Sequence, residues 1–414
     1  MATEHLETLI IGGGQAGLAM SHMLSLRGRP HLVVERGRIA ERWRSERWEG
    51  LRFQFPNWSV CLPDFPFAHG DPDGFATSVE IVAYLEAYAR SVSAPIRCGV
   101  AVTRLHRGER NGEFVARTAS GVIAADNVVI ATGPYQRPVT PRLVADDCDL
   151  LQVHANTYQR PEQLPPGAVL IVGSGASGAQ IAEELARAGR KVYLSVGRHK
   201  RMPRRYRGRD LIWWLAEMGL DRTSVKERKG DAILPLITGA YGGHTIDFRD
   251  FAEMGIILTG RLLSGRGSVL EFADDLSDSI AYGDAAFRAF LDLVDGHVAR
   301  QKIEAPEEAA ARVERSNSLC MTNPIRHLDI RYAGLSSVIW ATGYTFDWGW
   351  IDVPVIDASD APVHDRGVTE VPGVYFLGLP WLSKMNSSFL SGVGDDAARI
   401  ADHIQHRMTC AASS

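Results

Sequence analysis

The sequence predicts an α/β protein built from two similar domains, with the second inserted into the first. The stretch LIIGGGQAGLAM at 9–20 is repeated in pattern by LIVGSGASGAQI at 170–181. Two apolar strands, in NVVIATGPYQRP at 127–138 and SVIWATGYTFD at 337–347, each run into Ala-Thr-Gly and return the chain to a sheet. A strand, a glycine turn and a helix, used twice, are typical of doubly wound sheets.

The composition is that of an ordinary globular protein. The 414 residues suffice for two cores, with 45 % hydrophobic and 23 % charged residues. The net charge of −4 does not favour nucleic-acid binding, and no run of 18 apolar residues predicts a membrane span. The five cysteines are scattered without a Cys-x-x-Cys pair, and no signal-peptide pattern is present. We therefore expect a cytoplasmic protein without disulfides or a metal site.

The first glycine turn has the spacing of a Rossmann dinucleotide-binding motif. Gly12, Gly14 and Gly17 lie between the strand HLETLII and a helix that Gly28 ends. Such glycines allow a tight turn, let backbone amides approach a pyrophosphate, and bring the helix close to the strand. The next strand, HLVVE, closes on Glu35, 18 residues after Gly17. A carboxylate there can accept hydrogen bonds from both ribose hydroxyls of an adenosine.

The second turn repeats the glycine triplet at a constant offset of 161 residues, as Gly173, Gly175 and Gly178. The position that corresponds to Glu35 is Val196, whose side chain carries no charge and accepts no hydrogen bond. The two turns therefore differ in the residue that meets the ribose.

Ser195 and Arg198 flank the missing carboxylate of the second site. A carboxylate would repel a 2′-phosphate, whereas a hydroxyl and a guanidinium bind one. We therefore predict NADPH in the second site and FAD, as its redox partner, in the first. The alternative is that Arg198 is a solvated loop charge, together with Lys200 and Arg201.

The order of these motifs predicts how the chain is divided. We expect a first part of the FAD-binding domain at 1–160, an NADPH-binding domain at 161–330 with a substrate or lid insertion at about 202–325, and a second part of the FAD-binding domain at 331–414. In the insertion, we predict a hairpin within IILTGRLLSGRGSVLEF and a helix near 285–301.

The chain resembles the class B flavin-dependent monooxygenases, of the flavin-containing monooxygenase and YUCCA type, and bacterial flavoproteins labelled as related to potassium transport. The resemblance rests on both glycine motifs, on ERWRSERWEGLRFQFPNWSVCLPDFPF, on HANTY and on WATGY. In the family fingerprint F-x-G-x-x-x-H-x-x-x-[YFW], His154 and Tyr158 match, whereas Cys148 and Leu150 replace the Phe and the Gly. The implied fold is that of a two-domain flavoprotein similar to glutathione reductase.

The resemblance implies a monooxygenase reaction. NADPH would reduce FAD, a C4a-(hydro)peroxyflavin would form with O2, and one oxygen atom would enter a small organic substrate. The oxygenation could be N- or S-oxygenation, a Baeyer–Villiger reaction or an oxidative decarboxylation.

Two alternatives stay open, an NADPH oxidase that releases hydrogen peroxide and a non-catalytic redox-sensing flavoprotein that regulates a partner. A disulfide reductase would need a dithiol, which the cysteine spacing does not provide. The substrate and the oligomeric state, including a homo-oligomer, stay open as well.

The resemblance and the motifs together give candidate site residues. Asn57 is a candidate catalytic residue that holds the hydroperoxide, with an Asx turn as its alternative. His154 is a candidate proton relay, with a structural role at the domain junction as its alternative. Three candidate substrate contacts lie between the last strand and the helix expected to face the flavin: Lys384, Asn386 and Ser387. The candidate cofactor-binding residues come from the two turns, the strand ends and the segment expected to cover the flavin: Gly12, Gly14, Gln15, Ala16, Gly17, Glu35, Trp43, Thr132, Gly133, Gly173, Gly175, Ser177, Gly178, Ser195, Arg198, Thr342, Gly343 and Gly392.

Overall fold

Two β-sheets, one for each glycine turn, form the framework of the chain. The structure is a computed structural model that describes residues 4–68, 70–110, 112–145, 148–228 and 233–412. In these residues the first sheet has eight strands, with Val374–Phe376 paired beside Gly121–Ile130 and the others in the order Ile351–Asp352, Val102–Arg107, Phe114–Thr118, Gly121–Ile130, Glu4–Ile11, His31–Glu35 and Ile96–Cys98. The strand that leads into the first turn is central and runs parallel to both of its neighbours.

The second sheet is built on the same plan around the second turn. Its five described strands are all parallel, in the order Leu151–His154, Leu335–Trp340, Ala168–Val172, Val192–Ser195 and Ile257–Thr259. Every residue of Ala168–Val172 is buried, because helices and loops cover both faces of the sheet. The predicted fold class, an α/β protein with two Rossmann-like units, is confirmed.

The sheets also show where the chain passes from one unit to the other. Leu151–His154 pairs with Leu335–Trp340, so both strands belong to the second sheet. They lie outside the predicted NADPH-binding segment of 161–330, on either side of it. The predicted boundaries at 160 and 330 are therefore corrected to crossings within 131–150 and 341–350. Sequence reasoning missed this because a strand that pairs with a distant partner carries no local sign of its sheet.

Helices cover the sheets and connect the strands. The described helices are Gln15–Leu26, Glu41–Ser45, Ser78–Ser91, Ala176–Arg187, Leu211–Glu217, Phe248–Glu253, Leu276–Gln301, Leu319–Thr322, Ile330–Ala333 and Val393–Ala412, and the 3-10 turns are Asn57–Ser59, Pro161–Gln163, Leu220–Arg222, Ala240–Gly242 and Ala309–Arg312. The remaining short strands are Cys61–Leu62, Phe65–Pro66, Arg137–Pro138, Lys200–Arg201, Arg205–Tyr206, Arg209–Asp210, Pro235–Leu236, Leu262–Arg266, Val269–Phe272, His327–Asp329 and Tyr344–Thr345. Within the described residues, none of the helices has the length and apolarity that a bilayer span requires.

The insertion at about 202–325 contains both elements that the sequence predicts. Leu262–Arg266 and Val269–Phe272 form the antiparallel hairpin, and His327–Asp329 adds a third strand to it. The predicted helix near 285–301 is longer than expected and begins at Leu276. The later part of this helix, from Phe287 to Val298, packs with Trp214 and Tyr206 in a separate core cluster. Its first turns pack in the core of the second sheet, to which the same segment also contributes the strand Ile257–Thr259, so the segment at 202–325 is only in part a layer of its own.

Candidate dinucleotide and active site

The two glycine turns have nearly the same backbone. Gly12 and Gly173 have positive φ angles of 119° and 104°, and a Cβ at either would lie 2.4 Å or 2.5 Å from the carbonyl oxygen of the opposing strand end. A Cβ at Gly17 or Gly178 would lie 1.9 Å from the carbonyl oxygen of the first glycine in each turn. The helix thus approaches the strand as closely as the motif requires.

The middle glycine of each triplet faces open space. A Cβ built at Gly14 or Gly175 would meet no described heavy atom within 4 Å. Each of these residues lies directly before a helix, Gln15–Leu26 or Ala176–Arg187, so the free amides of the first helical turn point into that space. Such an arrangement fits a pyrophosphate at both positions.

In the first site, the Glu35 carboxylate joins the glycine turn to the end of the next strand. Its Oε2 accepts a hydrogen bond from the Gly13 amide at 2.7 Å, and its Oε1 accepts one from the Gly37 amide at 2.8 Å. Residue 13 has to be glycine, because a Cβ there would lie 2.8 Å from the Cβ of Glu35. The carboxylate is therefore fixed at the strand end, where the ribose of an adenosine is expected.

The second site is closed by a different residue. Ser174, which corresponds to Gly13, accepts a hydrogen bond from the Gly197 amide at 3.0 Å through its hydroxyl. Val196, the counterpart of Glu35, is fully buried. Arg198, two residues after Val196, is exposed, and its guanidinium lies 5.6 Å from the centroid of the Tyr282 ring. A cation is thus available where a 2′-phosphate would lie.

The structure does not support Ser195 as a phosphate ligand. Its side chain is only 3 % exposed, donates to the Gly260 carbonyl at 3.1 Å and accepts from the Leu262 amide at 2.9 Å. The hydroxyl is occupied in joining two strand ends. The predicted preference for NADPH therefore depends on Arg198 alone, and Ser195 is corrected to a structural residue.

One cavity of about 950 Å³ connects both turns. It runs from Gly12 and Gly14 to Gly175 and Ser177, so two ligands in the two turns would share it. Most of the predicted cofactor-binding side chains and backbone positions line it: Gly12, Gly14, Gln15, Ala16, Glu35, Trp43, Thr132, Gly133, Gly175, Ser177, Arg198 and Gly343. Gly17, Gly173 and Gly178 lie behind this surface, where they shape the turns, and the Thr342 hydroxyl donates to the Val139 carbonyl.

A row of aromatic rings forms one wall of the cavity. Trp43 contacts Phe53, Phe53 contacts Phe55, and Phe55 contacts Phe389, with centroid separations of 5.6, 5.3 and 5.0 Å. All four rings line the cavity. Apolar rings exclude water from whatever they cover, which favours reactions that water would quench. The resemblance predicted only Trp43 of this set.

His154 is the last residue of the strand Leu151–His154, at the edge of the second sheet, and it lines the cavity. Its Nδ1 is 2.8 Å from Oδ1 of Asn156, and its Nε2 is 3.1 Å from the Gly343 carbonyl oxygen. Its ring packs edge-on to Tyr344 at 5.1 Å. Both nitrogens are therefore engaged by protein oxygens, which supports the structural alternative that the sequence left open.

Asn57 does not line the cavity. Its side chain is 7 % exposed, and its Nδ2 donates to the Asp71 carbonyl at 2.8 Å. Its backbone amide donates to the Gly74 carbonyl at 2.9 Å, so both groups hold the loop at 71–74. The structure leaves the predicted catalytic role without support, and it does not show the alternative of an Asx turn either: Nδ2 binds a carbonyl 14 residues further along the chain, and within the described residues the buried Oδ1 has no hydrogen-bond partner.

The predicted substrate contacts are also turned away from the cavity. Lys384 forms an ion pair with Asp395, Asn386 donates to Asp221 at 3.2 Å, and the Ser387 hydroxyl accepts from the Lys384 amide at 3.0 Å. Gly392 packs against Asn386, whose carbonyl oxygen would lie 2.1 Å from a Cβ there. These four residues are corrected to structural ones.

Other residues of the same segment replace them. Met385, Ser388, Phe389 and Leu390 line the cavity, and the Ser388 carbonyl accepts a hydrogen bond from the Gln15 side chain. The insertion contributes Leu211, Leu215 and the Ile233–Ile237 stretch to the same lining. The segment lines the cavity, but its turns decide which side chains face inward, and no periodic pattern in the sequence marks those side chains.

Two ionisable rings in the lining have shifted pKa values. Burial lowers the pKa of His199, whose Nδ1 is 3.1 Å from the Gly197 carbonyl oxygen. Burial raises the pKa of Tyr344. Both shifts keep the rings uncharged near neutral pH, and His199 is therefore not a counter-ion for a phosphate there.

Comparison with known proteins places the chain in a family. Residues 9–216, which include both turns, match the family model described as pyridine nucleotide-disulphide oxidoreductase. The chain belongs to this family. It is 33 % identical to an uncharacterized CzcO-like oxidoreductase of Geobacillus kaustophilus, over 96 % of this chain and 98 % of the relative. It is 32 % identical to the indole-3-pyruvate monooxygenase YUCCA1 of rice, Oryza sativa subsp. japonica, over 45 % of this chain and 47 % of that one.

Solved structures of the family share the fold. A flavin-containing monooxygenase of Stenotrophomonas maltophilia superimposes with a TM-score of 0.66 at 18 % identity, over 98 % of this chain and 100 % of that one. The bacillithiol disulfide reductase Bdr of Staphylococcus aureus does so at 0.61 and 14 %, over 98 % and 99 %. OTEMO, in complex with FAD and NADP, gives 0.57 and 17 %, over 98 % and 86 %. The predicted resemblance, fold and oxidoreductase class are confirmed, and the predicted cofactor pair is the one in the OTEMO complex.

The family name refers to disulfide chemistry that this chain lacks the residues to perform at the cavity. All five cysteines lie in the described part of the chain, and no two of them form a disulfide: Cys61, Cys98, Cys148, Cys320 and Cys410. None of them lines the cavity between the turns. Among the described residues, no group of three or more His, Cys, Asp or Glu side chains could hold a metal ion.

Proposed function

We propose that this protein is an NADPH- and FAD-dependent monooxygenase that inserts one oxygen atom of O2 into a small organic substrate. The observation that carries the proposal is the single cavity that joins the two glycine turns, since electron transfer between two dinucleotides requires that they meet. In the balanced reaction, the substrate, O2, NADPH and a proton give the oxygenated substrate, NADP⁺ and water. The flavin supplies hydride acceptance and oxygen activation when it is bound.

The chain's own residues bind and orient the two dinucleotides. The open space at Gly14 and Gly175 fits the two pyrophosphates, and Glu35 fits the ribose in the first site. Arg198 fits the 2′-phosphate of NADPH in the second, because a guanidinium binds phosphate oxygens in a bidentate manner. At the edge of the second sheet, His154 binds the Gly343 carbonyl, which follows the neighbouring strand Leu335–Trp340. We assign it to positioning the junction rather than to proton transfer.

The lining of the cavity excludes water and selects the substrate. The four rings from Trp43 to Phe389 form a dry wall, and the insertion closes the cavity with Leu211 and Leu215. An apolar lining favours substrates that are oxygenated as neutral molecules, at a sulfide, an uncharged amine or a ketone carbonyl. Charged side chains line the cavity as well, among them Glu35 and Arg198 at the dinucleotide positions and Arg47, whose guanidinium lies 5.4 Å from the centroid of the Trp43 ring.

Coupling of NADPH consumption to product tests the proposal. The purified holoprotein would be incubated with NADPH, O2 and a panel of amines, sulfides, ketones and oxo acids. We expect at least one class to accelerate NADPH oxidation and to yield oxygenated product in near-equal amount to the NADPH consumed. A protein that binds no FAD, or that leaves NADPH unchanged in air with every class, would contradict the proposal and favour a non-catalytic flavoprotein.

An NADPH oxidase is the second candidate, and one specific observation favours it. Asn57, the side chain predicted to stabilise the oxygen adduct, is held in the loop at 71–74 and does not line the cavity. The same assay distinguishes the two reactions. Hydrogen peroxide equal to the NADPH consumed, with every substrate class, identifies the oxidase. A fall in peroxide as oxygenated product rises identifies the monooxygenase.

A further inference from the structure

A second pocket of about 470 Å³ lies beside the large cavity. Four segments form it: the chain that follows the Glu41–Ser45 helix, residues 74–75, the Ala176–Arg187 helix and the glycine-rich loop at 239–242. It shares Trp48, Arg52 and Gln180 with the large cavity but contains no residue of either glycine turn. Its size is in the range of sites for small molecules, and neither dinucleotide is expected to fill it.

The helix side of the pocket carries hydrogen-bond acceptors. Gln180 is only 4 % exposed, and within the described part of the chain its buried Oε1 has no hydrogen-bond partner. A buried acceptor without a partner costs free energy, so an arrangement that keeps one indicates a group that is supplied from outside. Glu184 lies one helical turn further along the same face, and its Oε2 accepts from the Tyr158 hydroxyl at 3.1 Å.

The position of the Glu184 carboxylate depends on a glycine across the pocket. A Cβ at Gly50 would lie 2.1 Å from Oε1 of Glu184, so any side chain at residue 50 would displace the carboxylate. Tyr158 holds one oxygen, and the other lies against the surface of the 48–52 segment. The pocket therefore has a fixed anionic group next to a neutral acceptor, and both attract a hydrogen-bond donor.

The rest of the lining is aromatic, with one cation. Trp48 and Phe75 are buried, with exposures of 4 % and 9 %, whereas Tyr241 is exposed beneath the Arg187 guanidinium, 4.1 Å from its ring centroid. Arg52 is exposed and, in the described residues, forms no ion pair, which places its guanidinium at the rim. A ligand that satisfied every polar group here would bear a cation, an anion and a flat apolar part.

We propose that this pocket binds an aromatic α-amino acid, with its ammonium group at Glu184 and Gln180, its carboxylate at Arg52, and its ring between Trp48 and Phe75. The ammonium group provides donors for both acceptors, and a guanidinium binds a carboxylate in a bidentate manner. The proposal goes beyond the proposed function, because it requires binding and not turnover.

The ionisation of Glu184 gives the site a dependence on pH. Burial raises the pKa of Glu184 to about 7, the Tyr158 hydroxyl lowers it, and the nearby carboxylates of Glu162 and Glu49 raise it. Burial also raises the pKa of Tyr158, which stays a donor. Since the carboxylate takes up a proton below about pH 7, we expect binding of an ammonium group to weaken from pH 8 to pH 6.

Three ligands that differ only in charge test the assignment. Phenylalanine carries both charges, phenethylamine only the ammonium group, and 3-phenylpropionate only the carboxylate. Binding to the wild-type holoprotein, saturated with FAD and NADP⁺, would be measured by calorimetry at pH 8. We expect phenylalanine to bind about tenfold more tightly than either of the others, since each charged hydrogen bond contributes to affinity.

A pair of carboxylate variants locates the ammonium group. Glu184→Gln keeps the size of the side chain and an acceptor for Tyr158, and we expect it to weaken phenylalanine and phenethylamine about tenfold while 3-phenylpropionate is unchanged. Glu307→Gln is the matched control, because Glu307 is exposed, lines neither this pocket nor the large cavity, and is not among the groups that shift the pKa of Glu184. It should leave all three affinities unchanged. Thermal melting of both variants confirms that they are folded.

Several outcomes would overturn the proposal. One is the absence of measurable phenylalanine binding to the folded wild-type protein. Equal affinities for the three ligands would mean that neither charge is recognised. Binding that disappears when FAD and NADP⁺ saturate the protein would assign the ligand to the large cavity, and an unchanged affinity in folded Glu184→Gln would exclude this carboxylate. Because no result depends on oxygenation, failure here is distinct from failure of the monooxygenase assay.

Discussion

The two glycine turns of this chain have nearly the same backbone conformation, but a different side chain joins each turn to the end of the next strand. Gly12 and Gly173 adopt the same positive φ region, and Gly17 and Gly178 would place a Cβ at the same 1.9 Å from a carbonyl oxygen. The strand ends beyond them differ, because the carboxylate of Glu35 binds two amides in the first site. The pyrophosphate cradle is thus a property of the backbone, whereas the choice of nucleotide is made by side chains one strand away.

In the second site, the side chain that joins the turn to the end of the next strand belongs to the turn, whereas in the first site it belongs to the strand end. The Ser174 hydroxyl binds the Gly197 amide, so no carboxylate is needed at the strand end and Arg198 is left exposed. Moving the closing group from the strand to the turn converts a site that repels a 2′-phosphate into one that can bind it. Nucleotide preference can therefore change without a change in fold.

The largest loss of nucleotide affinity is expected from adding a methyl group at the third glycine of either turn, where the helix lies against the first glycine. Gly17→Ala should reduce FAD affinity about a hundredfold or more, because its Cβ would overlap the Gly12 carbonyl oxygen. Gly178→Ala should do the same to NADPH and leave FAD bound. Flavin content and NADPH titration measure both. Gly296→Ala is the control, since a Cβ there would meet only the flexible end of the Arg300 side chain. Loss of FAD from a folded Gly178→Ala protein would mean that the sites are not separate.

A smaller effect is expected from the carboxylate of the first site. Glu35→Gln replaces one acceptor oxygen with an amide group that faces a backbone N–H, so we expect FAD affinity to fall about thirtyfold. The preference for NADPH over NADH should not change. Equilibrium FAD binding to the apoprotein provides the measurement, and Glu113→Gln, beside a strand of the same sheet, is the control. An unaltered FAD affinity would contradict the role of Glu35 in FAD binding.

Arg198 should account for a further, more selective effect. We expect Arg198→Gln to raise the KM for NADPH about tenfold and to leave that for NADH unchanged, since only NADPH carries the 2′-phosphate. Steady-state oxidation of both nucleotides gives the two values. Arg288→Gln removes an exposed guanidinium far from the cavity lining and should change neither. Equal losses for NADPH and NADH would place Arg198 outside the phosphate site.

The smallest effect on nucleotide choice is expected from Ser195. Ser195→Ala leaves the buried Leu262 amide without an acceptor, so the free energy of unfolding should fall by about 1 to 3 kcal/mol. The ratio of NADPH to NADH activity should be that of the wild type. Denaturant unfolding and the same kinetic assay separate the two properties. A shift of the ratio toward NADH would restore Ser195 as a phosphate ligand.

The order of amino acids was sufficient to predict the two sheets, the turns and the difference between them. Glycine spacing constrains the backbone locally, and the residue at the end of the next strand follows from a fixed register, so the contrast between Glu35 and Val196 is evident from residue spacing alone. The family fingerprint likewise singled out His154, which the structure places at the end of a strand of the second sheet, in contact with Asn156 and Gly343.

Which side chains face the cavity depends instead on contacts in the folded chain. Asn57 and Asn386 lie in segments that were correctly placed beside it, yet each is turned toward a loop partner, Asp71 or Asp221. Phe55 and Phe389 meet from distant parts of the chain to form its wall. Irregular segments have no period that assigns residues to a face, so their orientation is set by contacts between elements far apart in sequence.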